Sequence, residues 1–538
     1  MQIRLPDFID FHINRKEILH FKGDNVVQKD DVRVEVVFKK ESLHIRLSAD
    51  ETPVRYIKLR WNHTEQDKPT ETIKVYGDVW ERAYSDMEWH GIYPHRCMPW
   101  VCAFSNGSDL NLDYSNRFTH CFGVKVRPNA LCFWQYDGKG VNLFMDVRCG
   151  GEGVVLQGRT LDVCDVLFAE YNGKSAFLSL KDFYFKLCDD ALLPDHKVYG
   201  NNNWYYAYGC SSDEEILKNT DILIQQTKGL NNPPYMVVDD CWSENSCDGP
   251  WNRLRATFSD MKVLAEKIKE KGAKPGIWFR PLSDSKHTVN LCRMSWDDRY
   301  LDPSHPAVLE YISKTVRMLS KEWGYKLIKH DFSTHDIVGG WGCCRTFELA
   351  TAECHFYDKS KTTAEIIIAL YKTIYEAAEK DTLILGCNVI GHLAAGLHHI
   401  NRTGDDTSGR NWDRTRKLGI NTLAFRLLHH GAFYEADADC VGITKAVPWE
   451  MNRHWLEILS KSGTPLFVSP APDAVNDEIY ADLKAAYAVN SEQKDVLEPM
   501  DWMENICPEI WRLNGDIVTF NWYPEDGVNS FPPCDFGC

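Results

Sequence analysis

Tyr325-Lys326-Leu327-Ile328-Lys329-His330-Asp331 reads as a buried strand that ends in chemistry. Successive side chains of a strand alternate faces, so Lys329 and Asp331 project to the same side at its C-terminal end. An ammonium beside a carboxylate favours the ionised acid at neutral pH, the state a carboxylate nucleophile needs. A structural ion pair at a strand end accounts for the same two residues equally well. The surrounding sequence has to decide.

Working outward from this stretch, the chain alternates strand and helix from Lys197 onward, the pattern of parallel β/α units. Strands are expected at Val198–Tyr206, Pro234–Val238, Pro275–Phe279, Thr382–Cys387, Ala432–Glu435 and Pro465–Ser469, with helices at about Asp213–Gln226, Ser259–Lys271 and Thr362–Lys380. Close to eight strands, each followed by a helix, make a (β/α)8 barrel the economical closure, and in that fold the strand C-termini carry the site. Phe332 to Lys361, with Gly339-Gly-Trp-Gly-Cys-Cys344, reads as an insertion over the barrel mouth.

Upstream, short alternating runs such as Val32-Arg-Val-Glu-Val-Val-Phe38 and Leu43-His-Ile-Arg-Leu47 point to an antiparallel β-sandwich. Downstream, Asp516-Ile-Val-Thr-Phe-Asn-Trp522 begins a further β element. The expected architecture is therefore multidomain: an N-terminal antiparallel β-sandwich over 1–195, a central (β/α)8 barrel over 196–497 and a short C-terminal β segment over 498–538. Gly77-Asp-Val-Trp-Glu-Arg-Ala-Tyr-Ser-Asp-Met-Glu-Trp89 admits two readings, a loop that reaches a binding site or packing at a domain boundary.

Composition narrows the function. The 538 residues are 44% hydrophobic, enough for a large core. With 61 Lys and Arg against 77 Asp and Glu, the formal charge is −16 and no basic run is clustered as a phosphate backbone requires, which excludes nucleic acid. No apolar segment approaches membrane-spanning length and the start lacks a signal-peptide core, so no membrane partner and a cytoplasmic location are expected. The 19 cysteines lack the spacing of a disulfide framework and read mostly as buried thiols.

The expected strand ends gather Trp204, Asp239, Asp240, Lys329, Asp331, Cys387 and Arg402-Thr-Gly-Asp-Asp406. Paired acids suggest glycoside chemistry, since one attacks an anomeric carbon while another protonates the departing oxygen. Asp239 and Asp240 are placed to accept hydrogen bonds from neighbouring sugar hydroxyls, or to cap a helix. Cys343, Cys344, Cys354 and His355 fit no closed zinc site well, and GxGxxG, Walker and HExxH motifs are absent.

In order, Asn202-Asn-Trp204, Val237-Val-Asp-Asp-Cys-Trp242, Lys274-Pro-Gly-Ile-Trp-Phe279, Leu301-Asp-Pro-Ser-His-Pro306 and Ile328-Lys-His-Asp331 resemble the motif series of family 36 glycoside hydrolases, the α-galactosidase and raffinose-synthase group related to family 27. The resemblance covers roughly Lys197 to Ser469. It implies a retaining exo-α-galactosidase without cofactor or metal, acting on an α-galactoside oligosaccharide or glycoconjugate and compatible with a homo-oligomer. It also implies that Asp331 is the nucleophile, that Asp239 and Asp240 hold the O4 and O6 side of the sugar, and that Lys329 binds hydroxyls near O3 and O4. Trp204, Cys387 and Asn388 fall in the glycone pocket, and Arg402 would help to position the acid/base carboxylate and a nearby hydroxyl. Gapless matching assigns the acid/base to Asp405, whereas the family 27 pattern selects Asp406. The rivals are an α-N-acetylgalactosaminidase, an α-galactosyltransferase of the raffinose-synthase kind, and a non-catalytic carbohydrate-binding protein. Phe279-Arg280-Pro281 and Asn388-Val-Ile-Gly-His392 depart from the family pattern, so the outer subsites are expected to differ.

Overall fold

Alternation of apolar and polar residues builds the N-terminal region. Val32–Phe38 buries Val32, Val34 and Val36, and Leu43–Ser48 buries Leu43, Ile45 and Leu47, one face of each strand turned to the core. The structure is a computed structural model, and it describes residues 3–527 except 14, 15, 65–71, 85, 495, 496, 514, 524 and 526. Among these residues the N-terminal strands form a six-stranded and an eight-stranded sheet. Trp61 and Trp134 of the first meet Phe122 and Phe168 of the second, with ring centroids 5.1 Å apart for Trp61 and Phe168 and 6.0 Å for Phe122 and Trp134. Such pairs add about 0.5–1.5 kcal/mol each beyond the area they bury.

Nine parallel strands form the central sheet. They are β1 (Tyr199–Asn202), β2 (Tyr235–Val238), β3 (Lys274–Phe279), β4 (Leu327–His330), β5 (Leu383–Gly386), β6 (Ile400–Arg402), β7 (Glu435–Asp437), β8 (Val441–Ile443) and β9 (Leu466–Pro470). Neighbours run in chain order from β1 to β7, and β1 also pairs with β9, which pairs with β8. The strands are buried on both faces, and their two sets of side chains enter different clusters. Val237, Leu327, Leu385, Ile400 and Phe467 pack together on one side, whereas Val238, Ile277, Ile328 and Ile384 join the larger core on the other. Full burial of each such side chain is worth roughly 1.5–3 kcal/mol.

The expected closed eight-stranded barrel needs correction. The sheet is not hydrogen-bonded between its edges β7 and β8, which are separated by only three residues, so it curls until those edges approach each other. The strand breaks because Asp439 adopts φ of 75°, outside the extended region, and its carboxylate accepts from Thr407 N–H at 2.7 Å. The strand expected at Ala432–Glu435 begins at Glu435 instead, because the backbone just before it turns back on itself, with Gly431 N–H bonded to Tyr434 O at 2.9 Å. The strand expected to run to Tyr206 stops at Asn202, whose side-chain oxygen captures Trp204 N–H at 2.8 Å and starts a helical turn over Trp204–Ala207.

Helix boundaries follow their caps. Ser212 accepts from Glu215 N–H and starts Asp213–Gln226, Asp260 starts Met261–Glu270, and a capping box between Thr362 and Glu365 starts Thr363–Ala377. After the barrel, Glu498–Pro499, Ile510–Leu513 and Asp516–Thr519 form a small antiparallel sheet. The remainder of the expected C-terminal segment, beyond 527, lies outside the described residues. No helix among the described residues is long and apolar enough to cross a membrane.

Candidate active site

Asp331 follows β4 directly, and its backbone N–H is bonded to Phe279 O at the end of β3 at 3.1 Å. Its two oxygens are held separately. Oδ2 accepts from Trp278 Nε1 at 3.1 Å, and Oδ1 accepts from Asn388 Nδ2 at 2.6 Å and from Phe332 N–H at 2.7 Å. Burial pushes this carboxyl up, but Lys329, Arg82 and the two side-chain donors outweigh it and hold Asp331 below the usual carboxylate range. It is therefore an anion at neutral pH.

The ion pair inferred from alternation is different in detail. Lys329 does share the face of Asp331, yet its Nζ donates to Asp239 Oδ2, at the end of β2, at 2.7 Å and acts on Asp331 only through its field. Asp239 Oδ2 also accepts from Asn202 Nδ2 at 2.6 Å, which ties the ends of β1, β2 and β4 together. No helix begins at Asp239-Asp240, so the capping alternative fails. Burial and the charges of Asp239 and Asp331 raise Asp240 to about 7, where a carboxyl serves as donor or acceptor. Replacing Lys329 by methionine leaves Asp239 buried without its cation; a loss of about 3–5 kcal/mol is expected by urea denaturation.

Three of these strand ends turn through left-handed backbone at residues other than glycine: Cys241 at φ of 76°, Phe332 at 60° and Asn388 at 51°. Each costs on the order of 1–3 kcal/mol, and such strain collects where side chains must be aimed.

The two remaining candidate acids are held differently. Asp405 accepts from Arg82 Nη2 at 2.7 Å on Oδ1 and from Arg414 Nη2 at 2.6 Å on Oδ2, so both its oxygens are occupied. Asp406 has a side chain 34% exposed, and its contacts with Arg402 at 3.2 Å and Arg82 at 3.5 Å both fall on Oδ1. Burial opposes its charge, but Arg402, Arg82 and Lys329 hold it well below the usual carboxylate range. Arg402 reaches Cys387 Sγ at 3.7 Å and pairs with Asp439 at 3.0 Å. Trp204 is half-buried and stacks at a tilt on Tyr208, with ring centroids 5.2 Å apart.

Several members of this constellation were not foreseen from the sequence. Trp278 stands inside a quoted motif without a role, and Asp439 follows Asp437 at strand spacing. Arg82 and Tyr84 come from the Gly77–Trp89 segment, which therefore both reaches the site and packs at the boundary: Tyr84 OH donates to Asn388 Oδ1 at 3.4 Å, and Ala83 N–H donates to Thr403 O at 2.8 Å. Arg280, at the departure after β3, is bound through two nitrogens to Asp336 at 2.6 and 2.9 Å. In the zinc alternative Cys354 is buried while Cys343 and Cys344 are exposed, and the described residues hold no group of three or more His, Cys, Asp or Glu arranged for a metal ion.

No protein-family profile matches the chain. An α-galactosidase of Oryza sativa subsp. japonica is 30% identical over 136 residues, 24% of this chain and 28% of that protein, so the likeness spans little more than a quarter of the relative. Among solved structures, the α-galactosidase TtGalA of Thermus thermophilus, bound to p-nitrophenyl α-D-galactopyranoside, superposes with a TM-score of 0.57 at 16% identity, covering 91% of this chain and 96% of that one. The GH36 α-galactosidase AgaA of Geobacillus stearothermophilus gives a TM-score of 0.60 at 12% identity over 89% of this chain and 70% of its own. In fold, the chain is similar to the α-galactosidases of glycoside hydrolase family 36.

Proposed function

We propose that the protein is a retaining α-galactosidase in which Asp331 is the nucleophile and Asp406 the acid/base. The observation that carries this reading is the isolation of Asp331 as a buried anion at a strand end, oriented by Trp278 and Asn388 and not neutralised by direct contact with a cation. In the first step a carboxylate oxygen of Asp331 bonds to the anomeric carbon as the bond to the leaving oxygen breaks, and the acid/base delivers its proton to that oxygen. In the second, the same acid/base takes a proton from water, whose oxygen replaces Asp331 on the carbon. Retention corresponds to a carboxyl separation of about 5–5.5 Å.

Of the two adjacent acids, Asp406 suits proton transfer better. Held low by its cations, it is the ready base of the second step, and because it carries the proton for the first step in only a small fraction of the free enzyme, the activity optimum is expected at acidic pH. A general acid/base needs an oxygen open to substrate, and Asp405 has both oxygens committed to arginines. Lys329, Asp239 and the adaptable Asp240 supply the donors and acceptors for a polyhydroxylated ring. TtGalA has been captured with stachyose and an AgaA variant with raffinose, so α-galactosyl oligosaccharides are the substrates to try first.

The test is a panel of chromogenic glycosides together with a slow-turnover fluorinated α-galactoside. Turnover confined to α-galactosides and a galactosyl adduct on the peptide carrying Asp331 are expected. Preference for the N-acetylgalactosaminide, transfer to an added acceptor sugar in place of hydrolysis, or binding without turnover would replace this reading with one of its rivals. An adduct on any other residue would overturn the nucleophile assignment.

A further inference from the structure

Arg82 is a buried cation at the strand ends that does not come from the barrel. It lies between the sandwich strands Ile73–Gly77 and Trp89–His90, and its segment is fastened to barrel elements at several points. Ala83 pairs with Gly404 in the loop after β6, Glu81 Oε1 accepts Gly342 N–H at 2.6 Å from the insertion after β4, and Trp80 Nε1 donates to Thr346 O at 2.9 Å. Held by these ties, Arg82 is 7% exposed. All three of its nitrogens are engaged: Nε with Tyr84 OH at 3.1 Å, Nη2 with Asp405 Oδ1 at 2.7 Å, and Nη1 with Cys387 Sγ at 3.8 Å while lying 3.5 Å from Asp406 Oδ1. The rings of Tyr84 and Trp341 lie against it, with centroids 5.3 and 5.9 Å away.

We propose that Arg82 is a positioning residue for the acid/base, a planar fork delivered by the sandwich to hold the Asp405–Asp406 pair. The inference rests on the galactosidase reading and deepens it. Neutralising Asp405 does not explain this arginine, because Arg414 already pairs with that carboxylate at 2.6 Å. The second nitrogen of the fork lies between Cys387 Sγ and Asp406 Oδ1, and a guanidinium aims its nitrogens at neighbouring groups in one plane as an ammonium cannot. Asp406 is faced by Arg402 from β6, Lys329 from β4, Arg414 from Trp412–Arg414, Tyr205 and Tyr208 from the turn after β1, and Asp405 and Asp439. Of the cations that act on Asp406, Arg82 alone belongs to the sandwich. Its charge favours the ionised forms of both Asp406 and Asp331. Its removal therefore raises the pH at which the acid/base gives up its proton and the pH at which the nucleophile gains charge.

The experiment compares kcat/KM against pH for wild type and Arg82→Met on an α-galactoside with a sugar leaving group. Both limbs of the R82M profile are expected to move up, the basic one by about 1–3 pH units, with kcat reduced more than KM is changed. A folded R82M enzyme whose profile superimposes on wild type, at whatever activity, overturns the proposal and leaves Arg82 a structural residue. Should R82M not fold, Arg82→Lys carries the test: it keeps the charge and loses the fork, so its limbs should stay in place while kcat falls about tenfold or more. Wild-type kcat in R82K overturns the proposal. If wild type forms no adduct on Asp331, the galactosidase reading fails; if it does and the variants behave as wild type, only this inference fails.

Discussion

Asp331→Asn is expected to lower kcat on aryl α-galactosides by about 10⁴-fold or more, the scale seen when a covalent nucleophile is removed, while the protein keeps its fold. The amide has the same shape, so Phe332 N–H and Asn388 Nδ2 can still donate to its oxygen. The amide nitrogen then faces Trp278 Nε1, donor against donor, and the site loses one hydrogen bond, worth about 0.5–1.5 kcal/mol. That is small beside the rate effect. The sign of the stability change depends on pH. A carboxyl held below its unfolded value contributes stability that is present above that value and lost as pH falls through the folded one. The wild-type advantage in melting temperature is thus largest at neutral pH and shrinks in acid. The complementary variant Asp331→Gly, supplied with azide, should form β-galactosyl azide, because the anion then attacks from the face the carboxylate had occupied. Retention of a tenth of the wild-type rate by Asp331→Asn, or an α-configured azide, would exclude Asp331 as the nucleophile.

The barrel half of this molecule was legible in the sequence because its information is local. Alternation at Leu327–Asp331 put Leu327, Lys329 and Asp331 on one face, and the structure sets Leu327 in the cluster distinct from the one that takes Ile328. The helix expected at about Asp213–Gln226 is found there, capped by Ser212 and carrying acids in its first turn. Two kinds of feature escaped. One is backbone that leaves its regular region: nothing in Glu435 to Ile443 announces that Asp439 turns left-handed, or that two short strands, Glu435–Asp437 and Val441–Ile443, stand where one was expected at Ala432–Glu435. The other is contact across the chain. Arg82 and Asp405 are separated by 323 positions, and no periodicity relates them. Likewise the partner of Lys329 had to be chosen among several acids, and the nearest in sequence, Asp331, was not the one it contacts. The available hint was composition: Gly77–Trp89 carries charges among aromatic residues, which the packing of a sandwich surface does not require.

Asp406→Asn and Asp405→Asn should separate proton transfer from scaffolding. An acid is needed most when the leaving oxygen is basic. With a sugar leaving group, Asp406→Asn is expected to lose about 10²–10⁴-fold in kcat/KM. With p-nitrophenolate, which departs without help, kcat/KM should stay close to wild type. Its kcat should nevertheless fall, because the same residue is the base that activates water, and KM should fall with it as the galactosyl-enzyme accumulates. Asp405→Asn carries a different signature. It leaves Arg82 and Arg414 facing an amide, and breaking a buried pair in this way costs about 3–5 kcal/mol. Losses of activity should then be similar for both leaving groups and accompanied by a lower denaturation midpoint. Steady-state kinetics on the two substrate types and urea melts of both variants decide the matter. Selectivity for leaving group in Asp405→Asn, with Asp406→Asn insensitive to it, would transfer the acid/base role to Asp405. An absence of such selectivity in both would mean that the proton comes from neither residue of this loop.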